Sequence, residues 1–205
     1  KRVNGVVEQV SFLNVPSFVY TLNNEIVIEG IGNVHFDIAY GGAFYAFVDA
    51  DSIGLNLDSL NYLQQIDWGR KIKLAIMDSV EIKHPFEEDL SFLYGTIFIG
   101  KSDYENHHSK NICVFANGEV DRSATGSGVS ARAALHFAKG ELKIGEQIRI
   151  ESITGSTMDV EVMEKVNFGP YQAVIPKVSG HAHFTGKHEF LFDPNDPFRE
   201  GFLFR

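Results

Sequence analysis

A single cysteine, Cys113, among 205 residues leaves no partner for an intramolecular disulfide. That fits a reducing compartment and makes the cytoplasm the expected location. Basic residues are in short supply, 18 Lys and Arg against 27 Asp and Glu, for a formal net charge of −9. Such a chain has no evident basic patch for nucleic acid or an anionic membrane. No apolar run approaches the ~20 residues that a membrane-crossing helix needs. The first residues carry no signal-peptide pattern. No linker, low-complexity segment or short-period repeat interrupts the chain. What it does have is apolar material, 44% hydrophobic residues with 17 Phe, ample for a packed core. The length suits one large domain or one and a half small ones.

Residues 3–12 and Ser17–Tyr20 read as strands broken by Asn14-Val15-Pro16, because proline cannot donate to a ladder. Asn23-Asn24 signals a turn, and Glu25–Glu29 resumes a strand. Val34, Phe36 and Ile38 alternate with polar or small residues, and Gly41-Gly42 lets Phe44–Val48 return beside them. Asp37, close to that glycine pair, reads as a carboxylate bonded to turn backbone. Asp58-Ser59 predicts an N-cap for a helix through Leu60 and Leu63, and Asp67 starts a second one reaching about Val80. Trp68 is expected between those helices and the sheet. Phe92–Gly100 is a further strand, and 102–110 a solvated loop in which His107 and His108 have no scaffold to hold a metal. Beyond residue 140, strands are expected over Glu141–Glu151 with a turn at Gly145-Glu146, and over Ser152–Met163, Tyr171–Pro176 and Gly180–Thr185. His181 and His183 would share a sheet face there, without an evident third metal ligand.

The chain is organised around Asp121-Arg122-Ser123-Ala124-Thr125-Gly126-Ser127-Gly128-Val129-Ser130-Ala131-Arg132. An apolar strand, Ile112–Phe115, delivers this polar turn. From Val129 to Ala138 the sequence is helical and apolar on nearly every side, so the helix is buried. Gly140 supplies the left-handed stop. The helix start then offers free amides and the positive end of the dipole to a small carboxylate or phosphate. On pattern alone a plain tight turn, capped by Asp121 or Ser123, reads equally well.

The same segment resembles the second active-site motif of the proline racemase superfamily, Asp-Arg-Ser-Pro-Cys-Gly-Thr-Gly-Thr-Ser-Ala-Arg. Other family blocks resemble Val10-Ser11-Phe12, Asn14 to Phe18, Asp37 to Gly42, Ser152-Ile153 with Gly155-Ser156, Gly180, Gly186, and Asp196-Pro197-Phe198 with Gly201-Phe202. The resemblance implies an α/β (α+β) fold of diaminopimelate-epimerase type, a curved sheet or barrel around a central buried helix. It also implies that residues 1–190 form the second of two domains. Residues 191–205 would be a C-terminal tail that packs on the first domain, absent from these residues. A homodimer is expected.

Two departures from the motif stand out, Ala124 for proline and Thr125 for cysteine. The family's racemases and epimerases set one thiol on each face of the substrate. Thr125 at the place of one thiol resembles the trans-3-hydroxy-L-proline dehydratase branch. The other thiol, in a Met-Cys-Gly-His-Gly type motif, does not occur in these residues. By this resemblance the substrate is a cyclic amino acid, with no metal and no organic cofactor. Its carboxylate would lie on the amides of Gly126 and Ser127, its ring ammonium at Asp121, and Phe115 would line the pocket. Thr125 would orient the 3-hydroxyl that leaves as water, because a threonine hydroxyl is too weak an acid to serve as a standing base. A proline racemase or hydroxyproline epimerase is the second reading, and a non-catalytic amino-acid-binding half-domain the third. Cys113, within an apolar strand, reads as buried and inert.

Overall fold

The structure, a computed structural model, describes residues 1–3 and 6–202 of the chain. Its strands run β1 (Arg2–Val3), β2 (Val6–Val7), β3 (Val10–Leu13), β4 (Ser17–Ile28), β5 (Gly32–Tyr40) and β6 (Phe44–Asp49), followed by helix α1 (Tyr62–Ser79). Next come β7 (Leu93–Gly100), β8 (Ser109–Phe115) and β9 (Glu119–Val120), which lead into helix α2 (Gly126–Ala138). Strands β10 (Gln147–Glu151), β11 (Thr157–Phe168) and β12 (Tyr171–Gly180) complete the set.

The order β10-β11-β12-β4-β5-β6-β7-β8 closes on itself, because β8 also pairs in parallel with β10 through Ile150↔Ser109 and Glu151↔Lys110. The expected fold class is therefore present, as an eight-stranded barrel. Strand alternation gives each stave two apolar faces. One face carries Ala39, Tyr45, Ile97, Cys113, Val160 and Val174, and packs on Val129, Ala131, Ala133 and Leu135 of α2. The other carries Val34, Phe36, Ile38, Phe44, Phe98 and Val114, and packs on Ile72 and Ile76 of α1. Helix α2 is thus the central helix, and α1 covers the barrel from outside with Trp68 at its edge.

Two close approaches fix these helices. A Cβ on Gly41 would lie 2.2 Å from the carbonyl oxygen of Ser127 and 2.5 Å from the amide of Ala131, so only glycine lets the β5–β6 turn meet α2. A Cβ on Gly69 would lie 2.6 Å from Val114 Cβ, where α1 rests on β8.

Several local expectations are corrected. Strand β4 runs through the expected turn at Asn23-Asn24, which is a bulge: Asn23 sits at φ 56° and its N–H donates to Asp37 Oδ1 at 2.8 Å. The two expected helices are one. Asp58 does cap, accepting from Leu60 N–H at 2.8 Å, but the 3-10 turn Ser59–Asn61 it starts runs straight into α1, which holds Asp67 inside it. Residues Glu141–Glu146 form turns rather than strand, and Ser152–Ser156 is a second turn, closed by Ser152 N–H to the Ser156 carbonyl. The sheet ends at Gly180, so His181 and His183 lie past it on an exposed segment and not on a strand face. His107 is not solvated: its Nδ1 lies 3.2 Å from Ser102 Oγ and 3.5 Å from the buried Glu151. The predicted stop at Gly140 is present, with φ 74°. Among the described residues no helix is long and apolar enough to cross a membrane.

Candidate active site

Strand β8 positions the turn. The N–H of Asp121 donates to the Cys113 carbonyl at 3.1 Å, and the Asn111 side chain donates to the Ala124 carbonyl at 3.1 Å. From the far side Thr154 Oγ1 donates to the Arg122 carbonyl at 2.8 Å, so the Ser152–Ser156 turn braces the same segment. Within the turn, Ser123 N–H donates to Asp121 Oδ1 at 2.8 Å and Thr125 N–H to Ser123 Oγ at 3.0 Å. Thr125 Oγ1 donates to Asp121 Oδ2 at 2.9 Å.

Thr125 is the N-cap residue of α2, at φ 67° and ψ 103°, a backbone region that a β-branched residue rarely occupies. Its side chain does not cap the helix. The first intrahelical bond runs from Val129 N–H to the Thr125 carbonyl at 2.8 Å, which leaves the N–H groups of Gly126, Ser127 and Gly128 without an intrahelical acceptor. The helix dipole points its positive end at the same place. Gly126 carries no Cβ, and one added there would meet only Phe12 Cζ, at 3.9 Å. Gly126 thus leaves room beside the helix start, with Phe12 the nearest side chain.

Asp121 is half-buried, and among the described residues no Lys, Arg or His nitrogen lies within 4 Å of it, Arg122 included. A carboxylate in that state suits an incoming cation. Phe115, on the strand face that packs toward α2, is half-buried with its ring 5.5 Å from Tyr94. Cys113 is 1% exposed and burial pushes its thiol up to about 12, so it carries no standing thiolate. Asp121, Thr125, Gly126 and Ser127 thus share one turn, and Phe115 stands at the end of the strand that leads to it.

Several supports were not foreseen. The hydroxyls of Tyr45 and Ser127 lie 2.8 Å apart, and burial raises the pKa of the Tyr45 phenol. Asn14 Nδ2 donates to the Gly41 carbonyl at 2.9 Å and to Ser130 Oγ at 2.7 Å, and Ser130 passes a bond to the Gly126 carbonyl at 2.8 Å. Arg132, 2% exposed, donates to Ser109 Oγ at 2.7 Å and Asn111 Oδ1 at 3.0 Å, with His136 Nε2 at 2.9 Å. Arg132, a charged residue in a helix read as apolar on nearly every side, is the sequence signal from which this last group could have been found.

The proline racemase family model matches residues 1–203. A relative named trans-3-hydroxy-L-proline dehydratase from Colwellia psychrerythraea is 52% identical over 202 residues, covering 98% of this chain and 57% of the relative. One of the same name from Homo sapiens is 43% identical over 198 residues, covering 96% of this chain and 56% of the relative. The crystal structure of a hydroxyproline epimerase from Agrobacterium vitis with bound trans-4-OH-L-proline superposes with a TM-score of 0.91 at 31% identity. That match covers 100% of this chain and 58% of the epimerase. The chain therefore spans a little over half the length of these relatives.

Proposed function

Because the chain belongs to the proline racemase family, we propose that the protein containing it is a cofactor-independent lyase. It would dehydrate trans-3-hydroxy-L-proline by removing the Cα proton and expelling the 3-hydroxyl. The observation that carries this reading is Thr125, a hydroxyl bonded to Asp121 where the family resemblance expects a thiol. Racemisation needs a base on one face of Cα and an acid on the other, and a threonine is too weak an acid to alternate between those states. Elimination needs a base on one face only. That base would come from polypeptide outside these residues, since Cys113 is buried and protonated.

The binding roles follow from the turn. The substrate carboxylate lies on the uncapped amides of Gly126 and Ser127, where the helix dipole neutralises it. The ring ammonium meets Asp121, and Phe115 closes the apolar side of the ring. Residues 191–205 pack on the remaining domain, with residues 1–190 as the second domain of the pair.

Incubation of the full-length protein with trans-3-hydroxy-L-proline and, separately, with L-proline tests this. Ketimine should accumulate from the first, and the optical rotation of the second should hold steady. The name of the superposable epimerase favours a second reading, hydroxyproline epimerisation. An epimer of hydroxyproline without ketimine would establish that reading, appreciable D-proline would establish a proline racemase, and either would remove the lyase.

A further inference from the structure

We propose that Asp121 and Thr125 form a proton relay that carries the proton of the substrate's ring ammonium to the departing 3-hydroxyl. The inference rests on the lyase reading above and adds to it a source for the acid.

Hydroxide is a poor leaving group, so loss of the 3-hydroxyl requires a proton in the same step. A threonine hydroxyl can give that proton only if another group restores it at once. The structure puts that group in place, with Thr125 Oγ1 2.9 Å from Asp121 Oδ2. The other oxygen, Oδ1, is occupied by the Ser123 N–H at 2.8 Å, so Oδ2 is the oxygen through which a proton passes. The arrangement is held against a conformational cost. Thr125 keeps φ 67° because its N–H is bonded to Ser123 Oγ at 3.0 Å and its carbonyl receives Val129 N–H at 2.8 Å. An N-cap threonine would ordinarily turn its hydroxyl to the helix amides. Here it turns to the carboxylate instead.

The step balances as follows. The Cα proton goes to the base outside these residues, and the electrons of the Cα–H bond become the second bond between Cα and C3. The C3–O bond breaks and its electron pair leaves with the oxygen. That oxygen takes the Thr125 hydroxyl proton and departs as water. Thr125, whose hydroxyl donates to Asp121 Oδ2 before substrate reacts, turns that proton to the leaving oxygen and takes one back from Asp121 Oδ2 along the same 2.9 Å contact. Asp121 takes one from the ring ammonium, leaving a neutral enamine nitrogen. Both residues end as they began, and nothing is oxidised or reduced. The ammonium sits beside Asp121, which among the described residues has no competing cation within 4 Å.

A substrate whose leaving group needs no proton separates this relay from simple positioning. In the full-length protein, trans-3-hydroxy-L-proline and trans-3-chloro-L-proline would be compared, since chloride departs unprotonated. Thr125→Val should lower kcat for water loss at least ~100-fold, the scale of a lost general acid. It should leave chloride elimination within a few-fold of wild type, and Thr125→Ser should restore water loss. Asp121→Asn still accepts a hydrogen bond from Thr125 but cannot carry a proton. It should raise KM for both substrates and lower kcat for the hydroxyl substrate alone. Equal loss of both eliminations in Thr125→Val, or loss of neither, would overturn the relay and leave the lyase reading standing. A wild-type protein that releases no water from trans-3-hydroxy-L-proline would remove both.

Discussion

At the scale of single residues, the turn separates two kinds of recognition that one ligand would blur. Gly126 has open space where a Cβ would go, apart from Phe12 Cζ at 3.9 Å, and it is not at positive φ. Gly126→Leu should therefore fold normally while covering the helix amides. Binding of both L-proline and the planar mimic pyrrole-2-carboxylate should be lost, as read by calorimetry. Asp121→Asn should act on only one of them. Proline presents a charged nitrogen, and losing that charge-assisted bond should cost about 1.5–3 kcal/mol. The neutral pyrrole nitrogen should lose far less. A variant that binds both ligands as wild type does would put the ligand elsewhere.

Elements decide whether that turn keeps its shape. The first turn of α2 is pressed against Gly41, so Gly41→Ala forces backbone apart at 2.2 Å. A loss of about 1–3 kcal/mol is expected by urea unfolding, with weaker pyrrole-2-carboxylate binding from the survivors. The last turn of α2 carries a titratable group of a different kind. Arg132 can only donate and the Glu141 carboxylate only accepts, so His136 between them is neutral, with its proton on Nδ1. Burial, then the Arg132 charge, hold its pKa down to about 4 against an ordinary 6.5. A depressed histidine stabilises the fold fully above about pH 6.5 and loses that contribution as pH falls toward 4. Unfolding free energy should drop across that window. His136→Gln, whose carbonyl oxygen can accept from Arg132, should flatten the drop.

How far the sequence disclosed these elements depended on the range of the forces involved. The buried α2 was legible because Val129 to Ala138 is apolar on nearly every side, and its stop because Gly140 follows. Asp121, Thr125, Gly126 and Ser127 stand within the motif, whereas Phe115 entered only through the family resemblance. Their partners were not legible. Asn14 reaches Ser130, and Tyr45 reaches Ser127, only after the barrel has closed. The bulge at Asn23 reads locally as a turn, since a single left-handed asparagine serves either purpose until Asp37 across the ladder claims its N–H. The two expected helices merge because Asp67 is tolerated inside α1, where it pairs with Lys71 at 2.6 Å.

On the scale of the whole molecule, residues 181–202 leave the sheet and are exposed, Phe184, Phe190, Phe192, Phe198 and Phe202 among them. Leu203 and Phe204, counted with this tail in the sequence, lie outside the described residues. So apolar a segment suits burial against more protein. Truncation after Asp193 should lessen self-association of the 205-residue chain in light scattering. An unchanged mass and an unchanged thermal midpoint would deny the tail any such role. The barrel itself is joined by a short seam. Its two parallel pairs are reinforced by Glu151, 1% exposed, which accepts from Ser102 Oγ and from Asp103 N–H at 3.1 Å and lies 3.5 Å from Lys110 Nζ. The neighbouring β11–β12 hairpin is paired along nine registers by comparison. A ring whose shortest joints, this one and the equally short β12–β4 contact of two pairs, link distant parts of the chain should open at these joints before it melts anywhere else. In deuterated water the amides of the β8–β10 joint should exchange by partial opening, at rates insensitive to the global unfolding free energy, while those that pair β11 with β12 wait for the whole ring to come apart.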